Sequence, residues 1–194
     1  MLKLKLKPYI ALKQIPKPCQ SEFDTFGTAF EKLKSEIDSN KDASENNIET
    51  FADRFLHASF GYEIIKSKHI DKTIQIDGTV VVQFEFKAPK NTKEMIDADN
   101  INCKALHESI YYYMLQRSEN NDAIKRVVIS DGNVWFVFDA IDFEKLFWLD
   151  KRFNRNFVEF LAEEKRRKEE KKEGRGTTYF YDNIAKPFVE KLIQ

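Results

Sequence analysis

The chain reads as an α/β protein in which helices flank a mixed sheet, and three observations carry that reading. Apolar residues recur at three- or four-residue spacing from Phe23 to Leu56. They switch to alternate positions on both sides of Asp77-Gly78, and two further apolar runs flank Asp131-Gly132-Asn133 after an intervening helical stretch. The order helix, helix, hairpin, helix, strand, strand, helix suits a sheet with helices packed on its faces.

Residues 1–20 contain Pro8, Pro16 and Pro18 in a basic, aliphatic setting, and read as an irregular arm lying across another part of the molecule. Phe23, Phe26, Phe30, Leu33 and Ile37 predict an amphipathic helix over about 21–38. Ser44 caps a second helix through Ile48, Phe51, Ala52, Phe55 and Leu56, and Gly61 stops it. The phenylalanine stripes are read as core. Ile64, Ile70, Ile74 and Ile76 mark strands, and Val80 to Phe86 is the return arm of a hairpin. A helix is expected near 97–117, with Ile101, Ala105, Leu106, Ile110, Tyr113 and Met114 along one side. Residues 126–130 and 134–138 read as strands, and 143–148, 153–173 and about 187–193 as helices.

Composition bounds the partners. The 194 residues hold 32 Lys+Arg and 32 Asp+Glu, so a bulk basic field is excluded and any nucleic acid must be drawn by a local patch or by metal ions. With 42% apolar residues and 17 Phe there is material for a core, which excludes a disordered chain. Cys19 and Cys103 are far apart and without a CxxC, so no disulfide framework or thiolate zinc site is readable. The alternating Leu2-Lys3-Leu4-Lys5-Leu6 start is no signal peptide and no run approaches a membrane span, so a cytoplasmic protein is expected.

The chemistry concentrates between Ile70 and Lys87. Glu85 and Lys87 are two apart, so both leave the same face of a strand while Phe84 and Phe86 take the other. A three-residue Ile76-Asp77-Gly78 loop, the preferred form, pairs Gln75 with Thr79 and sets Asp71 opposite Gln83, diagonal to Glu85 on one face. A two-residue Asp77-Gly78 loop shifts the register by one and flips one strand's side chains. Asp77 is read as a turn former. Two converging carboxylates need a cation, and hard oxygen donors favour Mg²⁺ or Mn²⁺ over zinc. The adjacent lysine completes a set suited to phosphodiester hydrolysis, in which a metal activates water and an ammonium steadies charge on the phosphorus oxygens. A solvent-facing salt bridge on an amphipathic strand is the competing reading.

Asp71, a hairpin, and then Glu85-Phe86-Lys87 resemble the core of the PD-(D/E)XK nuclease superfamily. More narrowly, the chain is similar to the N-terminal region of type IIG restriction-modification enzymes, which join cleavage, adenine methylation and target recognition in one polypeptide. The similarity rests on Glu85-Phe86-Lys87-Ala88-Pro89 with Asn91, Glu94 and Met95, and on Asn100-Ile101-Asn102 with Lys104-Ala105-Leu106. It continues in Glu108 through Tyr111-Tyr112, Trp135 to Ala140 with Phe143, and Phe180-Tyr181 with Ile184 to Phe188.

This resemblance implies a restriction-endonuclease-like fold, with Asp71, Glu85 and the Phe86 carbonyl as metal ligands and Lys87 as the catalytic lysine. It implies a further carboxylate on the preceding helix, Glu45 with Glu49 as competitor, and supporting roles for Glu108 and Tyr112, which share a helix face. Lys72 replaces the family's more usual leucine. Residues 1–43 are then an arm and helix, 44–150 the nuclease core, and 151–194 a helical extension toward an absent methyltransferase domain. Neither that domain's Gly-rich loop nor its Asn-Pro-Pro-Tyr/Phe motif occurs, so S-adenosylmethionine belongs only to a longer parent protein.

The implied activity is Mg²⁺-dependent cleavage of double-stranded DNA by a type II site-specific deoxyribonuclease, with Mn²⁺ as a substitute ion. The implied partners are methyltransferase and target-recognition domains of the same polypeptide, and a transient dimer for double-strand cleavage. The alternative is a non-catalytic docking or DNA-binding module. His57, His69 and His107 lack zinc spacing and are read as structural or surface. The charged run 163–173 is read as a solvated helix face with i,i+4 pairs, and Tyr111-Tyr112-Tyr113 as packing.

Overall fold

The computed structural model describes residues 17–67, 70 and 72–194. Helix α1 (Gln20–Ser39) is opened by Glu22, whose carboxylate accepts the Cys19 amide at 2.7 Å. Helix α2 (Glu45–Phe60) has the predicted Ser44 cap, reciprocated by Asn47 Oδ1, and ends at Gly61 in the left-handed conformation with φ 70°.

Strands β1 (Lys72–Ile76) and β2 (Thr79–Phe86) form the hairpin. Its loop corrects the preferred register: Ile76 pairs with Thr79, so the loop has two residues, Asp77 and Gly78, both with positive φ (50° and 75°). That is the turn whose twist matches the flanking strands, and an aspartate tolerates the left-handed region well enough to supply its first position. A β-bulge then shifts the pairing between Ile74 and Gln75, so that Thr73, not Asp71, is opposite Gln83.

The chain continues through α3 (Lys104–Ser118), β3 (Arg126–Ser130), β4 (Trp135–Asp139) and α4 (Ala140–Phe143), which runs into a π-helical turn at Glu144–Trp148. Next come α5 (Lys151–Glu169), α6 (Gly176–Phe180), a second π-helical turn at Tyr181–Ala185, and α7 (Lys186–Ile193). The third helix starts later than its apolar pattern suggested. Asp97 Oδ1 accepts the amides of Asp99 and Asn100, a local side-chain-to-backbone arrangement that competes with a helical turn. Asp150 starts α5 early by accepting the amides of Arg152 and Phe153.

The protein is mixed α/β, with a four-stranded sheet in the order β1-β2-β3-β4 among the described residues. β2 and β3 run parallel, joined by α3, and the two outer pairs are antiparallel. One sheet face, bearing Val127, Ile129 and Phe138, packs on α3 and the C-terminal helices around Phe143, Phe147, Phe153, Phe157 and Phe180, each fully buried. The other face, bearing Phe84, Phe86 and Val128, packs on α2 with α1 behind it. Burying each of those five rings contributes about 2–3 kcal/mol.

The phenylalanine stripe of α1 departs from the expectation of core. Ala29, Leu33 and Ile37 are buried, but Phe23, Phe26 and Phe30 are exposed, Phe23 by 61%. The Phe26 ring instead meets Phe30 at 5.9 Å and the end of α2 at Phe60, 6.0 Å away. No helix among the described residues is long and apolar enough to cross a membrane.

Candidate functional site

Strand alternation along β2 places Phe84 and Phe86 on the α2 face, where their rings stack 5.7 Å apart, and turns Gln83 and Glu85 toward α3. Lys87 follows the strand, and its amide donates to Ser130 O at 2.9 Å, so β3 still holds the backbone there. The parallel pairing brings this carboxyl end of β2 beside α3, the position where open α/β sheets form crevices.

Three carboxylates converge on the Lys87 ammonium. Nζ lies 2.6 Å from Glu85 Oε1, 2.6 Å from Glu108 Oε2 and 3.6 Å from Glu45 Oε1. Each comes from a different element: Glu85 from β2, Glu108 from the second turn of α3, and Glu45 from the first residue of α2, fixed by the Ser44 cap. The Lys87 side chain is 3% exposed and Glu85 and Glu108 are each 13% exposed, whereas Glu45 is 43% exposed. The cluster is therefore rooted in the core and opens to solvent on the Glu45 side, unlike a solvent-facing salt bridge.

Burial pushes the Glu85 carboxyl well above the usual carboxylate range, Glu108 pushes it further, and Lys87 pulls it partly back. For Lys87, burial alone would lower the pKa, but Glu85 and Glu108 outweigh it and hold the ammonium above the ordinary lysine value. Three carboxyls around one amine carry more negative charge than Lys87 alone balances, which together with burial favours the neutral form of Glu85. The site's donors are all hard oxygens, which suits Mg²⁺ or Mn²⁺. Among the described residues, no three His, Cys, Asp or Glu side chains form a metal-holding group. Asp71, the other ligand proposed from sequence, lies outside the described residues.

The remaining sequence-predicted residues divide. Glu45 joins the cluster, while Glu49, one turn on, pairs with Lys72 on β1 at 3.5 Å. The Phe86 ring is buried on the α2 face, its backbone linking Glu85 to Lys87. Tyr112 is half-buried, its ring 5.6 Å from that of Tyr111. Glu108 Oε2 lies as near the Lys87 ammonium, at 2.6 Å, as Glu85 Oε1 does.

Sequence reasoning gave no role to Lys104, which holds both Glu94 oxygens at 3.1 Å and lies 3.8 Å from Glu108 Oε1. Its i,i+4 spacing from Glu108 was the available signal. It also missed Gln83, buried one pleat before Glu85, whose Nε2 donates to Ser109 O at 2.8 Å.

The histidines behave as expected where described. His57 is exposed on α2, and His107 is buried with Nε2 2.7 Å from Asn102 Oδ1, its pKa lowered to about 4 by burial and then by Lys186. His69 lies outside the described residues. The charged run forms its helix-face pairs, Glu163 with Arg166 and Arg167 and Arg166 with Glu170. Tyr111 packs among Phe157, Phe160 and Phe180, and Tyr113 is buried with its hydroxyl donating to Glu144.

No curated protein and no solved structure matches the chain. Residues 7–194 match the family described as Domain of unknown function (DUF7149), and the chain belongs to that family.

Proposed function

We propose that this chain is a Mg²⁺-dependent endonuclease domain that hydrolyses phosphodiester bonds of double-stranded DNA, with a restriction-endonuclease-like fold, as the cleavage part of a type IIG restriction-modification enzyme. The observation that carries the reading is the buried Lys87 ammonium, held by Glu85 and Glu108 at the carboxyl end of β2 and opening to solvent beside Glu45. The site's oxygen donors and excess negative charge fit a divalent ion, which Glu85, Glu45, Asp71 and the Phe86 carbonyl would hold. When bound, such an ion polarises a phosphoryl oxygen and acidifies a water molecule.

The chain's own residues supply the rest. Glu85 and Glu108 keep Lys87 protonated and fix its position, so that it donates to a phosphoryl oxygen as negative charge builds there. Glu45, on the solvent side, stands where a substrate would enter.

The test is nicking of supercoiled plasmid by the full chain, and by a longer parent polypeptide, with Mg²⁺, with Mn²⁺ and with chelator. Metal-dependent nicking is expected, reduced to background in Asp71→Ala, Glu85→Gln and Lys87→Ala variants whose circular dichroism is unchanged. Cleavage that persists in all three variants of the parent polypeptide would overturn the reading in favour of a non-catalytic docking or DNA-binding module.

A further inference from the structure

The α3 side of the site carries a second amine. Lys104 is the first residue of α3, and its Nζ lies 3.1 Å from both carboxylate oxygens of Glu94 and 3.8 Å from Glu108 Oε1. Glu108 Oε2 lies 2.6 Å from the buried Lys87 ammonium, so the two oxygens of one carboxylate face two different lysines. Local helix energetics do not account for a lysine there. A cation in the first turn opposes the helix macrodipole, and α3 has no acidic residue in that turn to offset it. Glu94 supplies the compensation from outside the helix. Its carbonyl accepts the Ala105 amide at 3.0 Å and its own amide donates to Asn91 O at 3.2 Å, so the loop after β2 is closed onto the start of α3. Burial would raise the Glu94 pKa, but hydrogen bonds from Lys104 and Asn91 outweigh it and hold the carboxyl below its ordinary value.

We infer that Lys104 is a positioning residue: clamped by Glu94, it fixes the plane of the Glu108 carboxylate and through it the place of Lys87 Nζ. The inference rests on the catalytic reading of Lys87 given above. Its physical basis is torsional. The last torsion of a glutamate is broad and roughly two-fold, so a carboxylate held at one oxygen alone can swing, whereas ammonium groups at both oxygens select one orientation. Lys87 ends a flexible four-carbon stem, so its carboxylate partners decide where the ammonium sits. A lysine that donates to a phosphoryl oxygen has to be held closely, and that demands support behind the group that touches substrate. Glu94 and Lys104 form that support on the α3 side, in a chain that runs Glu94, Lys104, Glu108, Lys87.

The experiment compares the full chain with its Lys104→Met and Lys104→Arg variants by two readouts, one of them independent of activity. In ¹H–¹⁵N spectra of the lysine ammonium groups, Lys87, assigned through its own side-chain carbons, should give a slowly exchanging signal. Its exchange is expected to rise by about tenfold in Lys104→Met and to return to the parent value in Lys104→Arg. In plasmid nicking with Mg²⁺, Lys104→Met should lower kcat by about tenfold while KM changes by less than about twofold, and Lys104→Arg should restore kcat. In a Glu108→Gln background the Lys104→Met change should add less than about twofold, because the group it acts through is gone. A Lys87 signal unchanged by Lys104→Met would overturn the inference. So would a raised KM with kcat unchanged, which marks a direct phosphate contact, or a full additional loss in the Glu108→Gln background. A chain that never nicks DNA, but whose Lys87 signal depends on Lys104, would remove the nuclease reading and still support the positioning role.

Discussion

On the α3 side of the sheet, Phe143, Phe147, Phe153, Phe157 and Phe180 are fully buried, and a lysine with two glutamates is taken out of water at the layer's edge. On the α2 side, Phe23, Phe26 and Phe30 are exposed, as are Ile76 and Val137 of the sheet. Both faces were built from similar apolar residues, so composition does not set the difference. Coverage does: α3 and the helices after β4 close over the first face, while on the second α2 buries Phe84, Phe86 and Val128, α1 lies behind it, and among the described residues Ile76 and Val137 stay exposed. A closed face also excludes the water that would otherwise screen and solvate Lys87, which makes its carboxylate partners obligatory.

Truncating one ring on each face should separate them most. Phe180→Ala removes a fully buried ring touching Tyr111, Phe153, Phe157 and Phe160, and is expected to cost about 4 kcal/mol in urea unfolding. Phe23→Ala on the open face should cost under about 1 kcal/mol. Equal losses would mean that Phe23 is covered in solution.

Next in size is Lys87→Met, which leaves two carboxylates facing each other in the core and is expected to destabilise by about 3 kcal/mol. The added Glu85→Gln should restore much of that loss. If the single variant is as stable as the parent, the cluster is more hydrated than its burial indicates.

A pH series sharpens the same contrast. His107 has a folded pKa of about 4 against an ordinary 6.5, lowered by burial and by Lys186, with Asp182 opposing and Asn102 accepting or donating at the ring. Because the folded value is depressed, its stability is fully present above pH 6.5 and is lost as pH falls toward 4. The loss is on the order of 3 kcal/mol. His107→Gln should flatten that part of the stability curve measured by denaturant midpoints, and an unchanged slope would assign it to other groups.

The smallest effect is expected at Ser109, whose buried Oγ has no hydrogen-bond partner among the described residues. Ser109→Ala removes that orphan and favours the helix, so it should be neutral or stabilise by about 0.5 kcal/mol in the same titration. A loss above about 1 kcal/mol would show that the hydroxyl is bonded in solution.

Much of the fold was legible because local physics writes it plainly. The Ser44 cap and the Gly61 stop needed no partner to be read, whereas Ile64 and Ile70, expected in strands, lie outside β1. The site was legible in part: strand alternation alone put Glu85 beside Lys87 and both Phe rings opposite. The β-bulge between Ile74 and Gln75 was not readable, since it depends on how β1 meets β2 and carries no glycine or proline to announce it. The 2.6 Å approach of Glu108 to Lys87 was not readable, because nothing in its spacing reveals how close α3 comes to the end of β2.

The sequence by itself determined the alternation that segregates charge from aromatic rings on β2, the helix limits set by capping, and the neutral balance that excludes a bulk basic field. Only the tertiary structure decided that Lys87 is buried among carboxylates from three elements, and that α1's aromatic stripe stays in the open. The reason is range: periodicity and capping act within a few residues of chain, whereas burial and ion pairing depend on which distant segment arrives to exclude water.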